Sequence, residues 1–237
     1  MDKESDKFPL HTAAREGKAS IAEALIKMDP KLSKTKDDDG RYAIHWATSA
    51  NNLDIVNLLA NQSSFDPDVQ DGSGWTPVMI AASVPNSDEV LATLLKAGAD
   101  VNEKNNSGQT ALHFVASKQY LDVATALIAA KASTRVRDKR GQYPIHRAAA
   151  VGSVPMVKLL LKNMSPLNAA DNEGWTPLHH AVAEGHGDTA VALLKEGADF
   201  TLKTAAEETA FDLAPGKEVI RFIEQGAERE GLDLTTS

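Results

Sequence analysis

The sequence predicts an all-α solenoid of seven helix-turn-helix repeats, with β-hairpin turn tips between them and degenerate capping repeats at both ends. Three observations predict it. Turn glycines recur at Gly40, Gly74, Gly108, Gly141 and Gly174, with gaps of 34, 34, 33 and 33 residues. A second slot recurs in the same register at His11, His45, Met79, His113, His146 and His179, with gaps of 34, 34, 34, 33 and 33. Such a period marks a unit that cannot bury its apolar face alone and stacks on copies of itself. The composition agrees: the 237 residues are 42% hydrophobic but only 5% aromatic. Ala and Leu must then fill the interior, which suits thin helices in close contact and does not suit a sandwich or barrel.

The elements follow in order. Residues 1–7 read as a polar N-terminal tail. The repeats fall at about 8–32, 33–64, 65–99, 100–132, 133–164, 165–198 and 199–226, and residues 227–237 read as a C-terminal tail. The first repeat, FPLHTAAREG, lacks a turn ahead of it, as a cap should, and Ile21, Leu25 and Ile26 follow at helical spacing. The second has DDDGRYAIHWATSANN and then DIVNLLA; the third has DGSGWTPVMIAAS and EVLATLLKAGA; the fourth has NNSGQTALHFVASKQ and DVATALIAAKA. The fifth has DKRGQYPIHRAAAVG and PMVKLLLKN, and the sixth GWTPLHHAVAEGHGDTAVALL. The seventh has degenerated: Glu207 stands at the turn glycine, and the repeat ends in the amphipathic KEVIRFIEQ.

Local chemistry supports each piece. An Asp-x-x-Gly tip turns because Asp bonds the nearby backbone and Gly takes positive φ. Thr76, Thr110 and Thr176 are N-cap candidates, with Pro77, Pro144 and Pro177 at first helical positions, where a missing N–H is harmless. Gly152 and Gly185 are expected to end first helices, and Gly98 and Gly197 second helices.

Composition also excludes classes. There is no Cys, hence no disulfide, no Cys-based zinc site and no thiol nucleophile. MDKESDKF is charged and lacks the apolar segment of a secretory signal. No run of about 18 apolar residues exists to span a membrane. The expected location is cytoplasmic and nuclear. A net charge of −8 weighs against nucleic acid as a partner.

Enzyme chemistry finds no support. His11, His45, His113, His146 and His179 occupy one repeated slot, where the expected role is an imidazole bonding turns of its own and adjoining repeats. His179, His180, Glu184, His186 and Asp188 make a dense cluster; His180 and Glu184 share a helix face, but His186 and Asp188 belong to the following turn and His179 points to the other side, so the set does not converge as metal ligands must. Asp37, Asp38 and Asp39 lack EF-hand spacing. Gly185 to Ala190 matches GxGxxA but follows a helix instead of a strand. GxxxxGK[ST] and GxSxG are missing. The reading is a non-enzyme with no catalytic residues, no cofactor and no metal.

Turn tips and the exposed sides of first helices are free of the packing constraint, so their residues report on a partner. All three tryptophans fall there: Trp46 after the repeat histidine, and Trp75 and Trp175 after turn glycines. Trp is enriched among interface hot spots. Charges on this face come in blocks. Asp38, Asp39 and Asp71, with Arg41 among them, make the N-terminal tips acidic. Lys118, Lys139, Arg140 and Arg147 make repeats four and five basic. Glu173 and Glu184 beside His180 return to acidic. This alternation predicts a folded protein partner of complementary pattern.

The pattern D-x-x-G-x-T-P-L-H-x-A-A is that of the ankyrin repeat, over about residues 8–226. The non-consensus residues resemble one family more narrowly. DDDGRYAIHWATSA, SGWTPVMIAAS, LHFVASK, IHRAAAVGS and GWTPLHHAVAEGHGD are similar to gankyrin and its fungal counterparts, ankyrin-repeat assembly chaperones of the proteasome regulatory particle. The resemblance implies a partner: the C-terminal domain of one ATPase subunit of the regulatory-particle base, gripped so that it does not dock prematurely on the core particle. It carries Asp39, Arg41, Trp46, Trp75, Lys118, Arg147 and Trp175 over as contacts. Nothing in the sequence indicates a homo-oligomer, and the chain is expected to be monomeric when free. One feature departs from animal gankyrin: its LxCxE motif is replaced by Leu178-His179-His180-Ala181-Val182, so retinoblastoma binding is not implied. The alternative is an ankyrin adaptor for another intracellular protein. Charge reversal at Arg41 with Lys118 is expected to weaken binding and leave stability intact.

Overall fold

The computed structural model describes residues 7–234. Residues 1–6 of the N-terminal tail and 235–237 of the C-terminal tail lie outside them. Two compact units divide between Ala111 and Leu112.

The first unit begins with α1 (Pro9–Glu16) and α2 (Ala19–Met28), then a 3-10 turn over Pro30–Lys34. Paired helices follow: α3 (Ala43–Ser49) with α4 (Leu53–Ala60), and α5 (Pro77–Ala81) with α6 (Asp88–Lys96). α1, α3 and α5 each pack on their own second helix, and α1 packs on α3 and α3 on α5. Leu10, Ile44, Ile55, Leu59, Met79 and Leu94 fill the interior, and Ala13, Ala14, Ala43 and Ala47 let the helices approach.

The second unit holds α7 (Ala111–Lys118), whose first residue marks the boundary, and α8 (Leu121–Ala129). Then come α9 (Pro144–Ala150), α10 (Val154–Lys162), α11 (Pro177–Ala183) and α12 (Gly187–Lys195). A 3-10 turn over Phe211–Leu213 precedes α13 (Lys217–Arg229). Its core is Leu112, Leu127, Ile145, Met156, Leu160, Leu178 and Leu193, closed at the end by Ile223 and Ala227 of α13. The last helix therefore runs past residue 226, where the sequence suggests a tail.

The tips differ from expectation in one respect. They are hydrogen-bonded hairpin turns, but no strand forms among the described residues, and the isolated bridge is Lys203–Thr209. In the third repeat the Asp71 amide donates to the Trp75 carbonyl and the Gly74 amide to that of Asp71. Two rungs are too few for a ladder. The expected caps at Thr76 and Thr176 are present: the Thr76 hydroxyl accepts the Met79 amide, and that of Thr176 the His179 amide. Pro77, Pro144 and Pro177 open their helices.

Candidate functional site

The repeat histidines build the frame of the face. His45 Nδ1 accepts the Tyr42 amide at 3.1 Å, while Nε2 reaches the Val69 and Trp75 carbonyls, each at 3.1 Å. His146 Nδ1 accepts the Tyr143 amide at 3.1 Å and Nε2 donates to the Ala169 carbonyl at 2.9 Å. Each ring thus caps its own helix and ties it to the next tip. Burial pushes the pKa of His45 and His179 down, and that of His146 to about 4, helped by nearby His180. A neutral ring suits a site that needs one acceptor and one donor nitrogen.

The acid that opens each tip closes it. In Asp71, Oδ1 accepts the Ser73 and Trp75 amides, both at 2.9 Å. Asp37, Asp138 and Asp171 bond the same two tip positions. Their second oxygens reach residues of the face. Trp46 Nε1 donates to Asp37 Oδ2 at 2.7 Å, Arg147 Nη2 to Asp138 Oδ2 at 2.9 Å, and His180 Nε2 lies 3.1 Å from Asp171 Oδ2. Burial opposes ionisation of all three carboxyls. For Asp171 the bonds from Gln142, the Trp175 amide and His180 outweigh it; for Asp138 those from Arg147 and the Gln142 amide do so; for Asp37 those from Trp46 and the Arg41 and Asp39 amides do so. Each stays below the ordinary carboxylate range.

In the first unit, Arg41, Asp71 and Trp75 come together around a concavity of about 260 Å³, with Ser49, Ser73, Ile80, Ser83 and Val84. Arg41 is held twice: its Nε lies 3.4 Å from Asp71 Oδ2 and its guanidinium 4.9 Å from the Trp46 ring. Asp71 itself is buried, so it serves the tip and Arg41 and is not an exposed acid awaiting a partner. Asp38 and Asp39 are exposed, and Asp38 pairs with Lys7 at 2.6 Å. Trp46 is half-buried, with Arg15 against it at 5.6 Å.

In the second unit, Lys139, Arg140, Glu173, Trp175, His180 and Glu184 line one concavity of about 390 Å³ with Gln142, Asp171 and Asn172. The Trp175 ring stands 5.1 Å from that of His180. Burial lowers the His180 pKa against the opposing pull of Asp171. Arg147 lies outside this concavity, bound to Asp138, and Lys118 is exposed at the end of α7. The dense histidine cluster is dispersed: His179 caps α11, His180 turns to Asp171, and His186 Nε2 bonds the Ala150 carbonyl.

Sequence reasoning missed Ser49, Ser83 and Val84 in the first concavity and Gln142 and Asn172 in the second. Ser49 and Ser83 were findable, because each stands four residues after the repeat slot, one turn along the same helix face. Gln142 was not, since only the fold carries its amide to Asp171, at 2.9 Å. Among the described residues no helix is long and apolar enough to cross a membrane.

Comparison with known proteins fits this geometry. The chain is 40% identical over 125 residues to "Probable 26S proteasome regulatory subunit p28" of Saccharomyces cerevisiae, covering 51% of this chain and 54% of that one. It is 37% identical over 109 residues to an ankyrin repeat-containing protein of Schizosaccharomyces pombe, covering 44% and 46%. It thus spans about half the length of the curated relatives it matches. Among solved structures, the ankyrin repeat domain of Bcl-3, of the IkappaB family, superposes with a TM-score of 0.79 at 26% identity, over 94% of this chain and all of that one. An ankyrin repeat domain from Acinetobacter baumannii superposes with a TM-score of 0.73 at 29% identity, over 82% of this chain and all of that one. The family model for ankyrin repeats (three copies) matches residues 1–71, 62–138 and 112–204. With these matches running over residues 1–204 and one hairpin unit, capped by a histidine in most copies, repeated through both units, the chain belongs to the ankyrin-repeat family.

Proposed function

We propose that this protein is an assembly chaperone of the 26S proteasome regulatory particle. It binds the C-terminal domain of one base ATPase subunit through its tips and first helices and blocks premature docking on the core particle. The observation that carries this reading is the 40% identity, over 125 residues, to the "Probable 26S proteasome regulatory subunit p28". The face supports a protein ligand: half-buried tryptophans beside rigidly held charges are what interface hot spots are made of. No catalytic role is part of the proposal, and the expected location is cytoplasm and nucleus.

The test is a pull-down of soluble cell proteins on this chain, beside a Trp75→Ala, Trp175→Ala double variant. Recovery of free base ATPases with their assembly neighbours, lost in the variant, is the expected result. Recovery of an unrelated protein would replace the chaperone reading with that of an ankyrin adaptor.

A further inference from the structure

We propose that the acid opening a turn tip is a positioning residue for the binding face, and that Asp138 sets the presented conformation of Arg147. The binding part of this inference rests on the reading above that Arg147 meets the partner.

The observation is a register. In three repeats the tip acid is joined to the residue nine positions later, directly after the repeat histidine. The pairs are Asp37 with Trp46, Asp138 with Arg147 and Asp171 with His180, at 2.7, 2.9 and 3.1 Å. An indole, a guanidinium and an imidazole share little except a nitrogen that reaches the same carboxylate oxygen. The other oxygen is already occupied by two tip amides in each case.

The fourth repeat separates the two jobs. There Asn105 takes the place of the acid, and its Oδ1 accepts the Ser107 and Gln109 amides, both at 2.9 Å. Its ninth residue is Phe114, which has no side-chain N–H to give. Closing a tip therefore needs one acceptor oxygen and no charge, and in the seventh repeat the Thr204 hydroxyl accepts the same two amides, at 3.2 and 3.4 Å. In the third repeat the ninth residue is Ile80, and the second oxygen of Asp71 faces Arg41 instead. The second oxygen thus goes to a polar residue of the face wherever one can reach it.

For Arg147 the consequence is large. The side chains of Asp138 and Arg147 are 1% and 22% exposed, so water competes poorly for the pair. A long side chain that would otherwise sample many rotamers is held in one, and the partner need not order it.

Asp138→Asn is the clean variant, because Asn105 shows that an amide closes a tip. Two measurements decide the matter. In the free protein, side-chain ¹⁵N relaxation should find the Arg147 guanidinium rigid, and mobile after Asp138→Asn; equal mobility in both overturns the positioning role, whatever the partner. In binding to the ATPase C-terminal domain, Asp138→Asn should weaken affinity about 3- to 10-fold, the ordering cost of one long side chain. It should add nothing in an Arg147→Ala background. An equal loss in both backgrounds would mean that Asp138 acts through the tip alone and overturns the inference. If the ATPase domain does not bind the unmodified chain, the chaperone reading fails, and the relaxation result still decides the positioning role.

Discussion

A buried imidazole bonded at both nitrogens must stay neutral for its frame to hold, and His146 is the strongest case. Its Nδ1 accepts an amide proton, so protonation there breaks the cap on α9. Burial holds its pKa at about 4, well below the 6.5 of an unperturbed ring. The unfolded chain therefore takes up this proton first on acidification. Stability is full above about pH 6.5 and declines as pH falls toward about 4. Below that, Asp37, Asp138 and Asp171, held below 3.8, lose their charge and their bonds. Melting temperature should fall from pH 6.5 to 4, with His146 still neutral at pH 5 by NMR titration. A His146 that titrates near 6.5 in the folded chain would contradict this. The role of the histidine slot was legible, since a residue repeated in register has a repeated job. The role of Asp71 was not, because a one-letter code does not say that both of its oxygens face inward.

At the scale of the element, the repeat has left-handed positions that outlast their glycines. Asn51, Asn86, Gln119, Lys131, Met164 and Glu207 all take positive φ. Each stands where another repeat has Gly: Asn51, Asn86 and Gln119 match Gly17, Gly152 and Gly185; Lys131 and Met164 match Gly98 and Gly197; Glu207 matches the tip glycines. The backbone there is dictated by stacking against neighbours and overrides the local preference against positive φ. Glu207→Gly should stabilise the chain by about 0.5–1 kcal/mol, read as a raised denaturation midpoint. The contact it removes, Lys203 to Glu207 at 3.7 Å, is exposed and contributes little. The degenerate seventh tip was visible in the sequence as a missing glycine. Its unchanged conformation was not, because the sequence displays the residue and conceals the constraint.

At the scale of the whole molecule, charge has to be counted after internal pairing. Asp71 faces Arg41, Asp38 pairs with Lys7, and Asp138 holds Arg147. The acidic and basic blocks of the sequence are thus partly neutralised within each unit. This divides a pair of substitutions that sequence reasoning treats alike. Lys118→Glu alters an exposed residue at a helix end and should weaken partner binding several-fold with little change in melting temperature, since surface pairs contribute about 0.2–1 kcal/mol. Arg41→Glu places a second carboxylate beside buried Asp71 and removes a cation from Trp46, so it should lower both affinity and melting temperature. Thermal melts run beside titrations with the ATPase domain would check both.

What the sequence by itself determined is the repeat: its period, its caps and turns, the alanines and leucines of its core, and the slot its histidines fill. These are local or periodic properties, and a period is visible in one dimension. Only the tertiary structure decided which charges remain available to a partner. Gln142 reaches Asp171 from 29 residues away, and Arg41 reaches Asp71 from 30. Such pairings are set by how one repeat stacks on the next. The same stacking removes water from the tip carboxylates, and so makes each of them choose a partner.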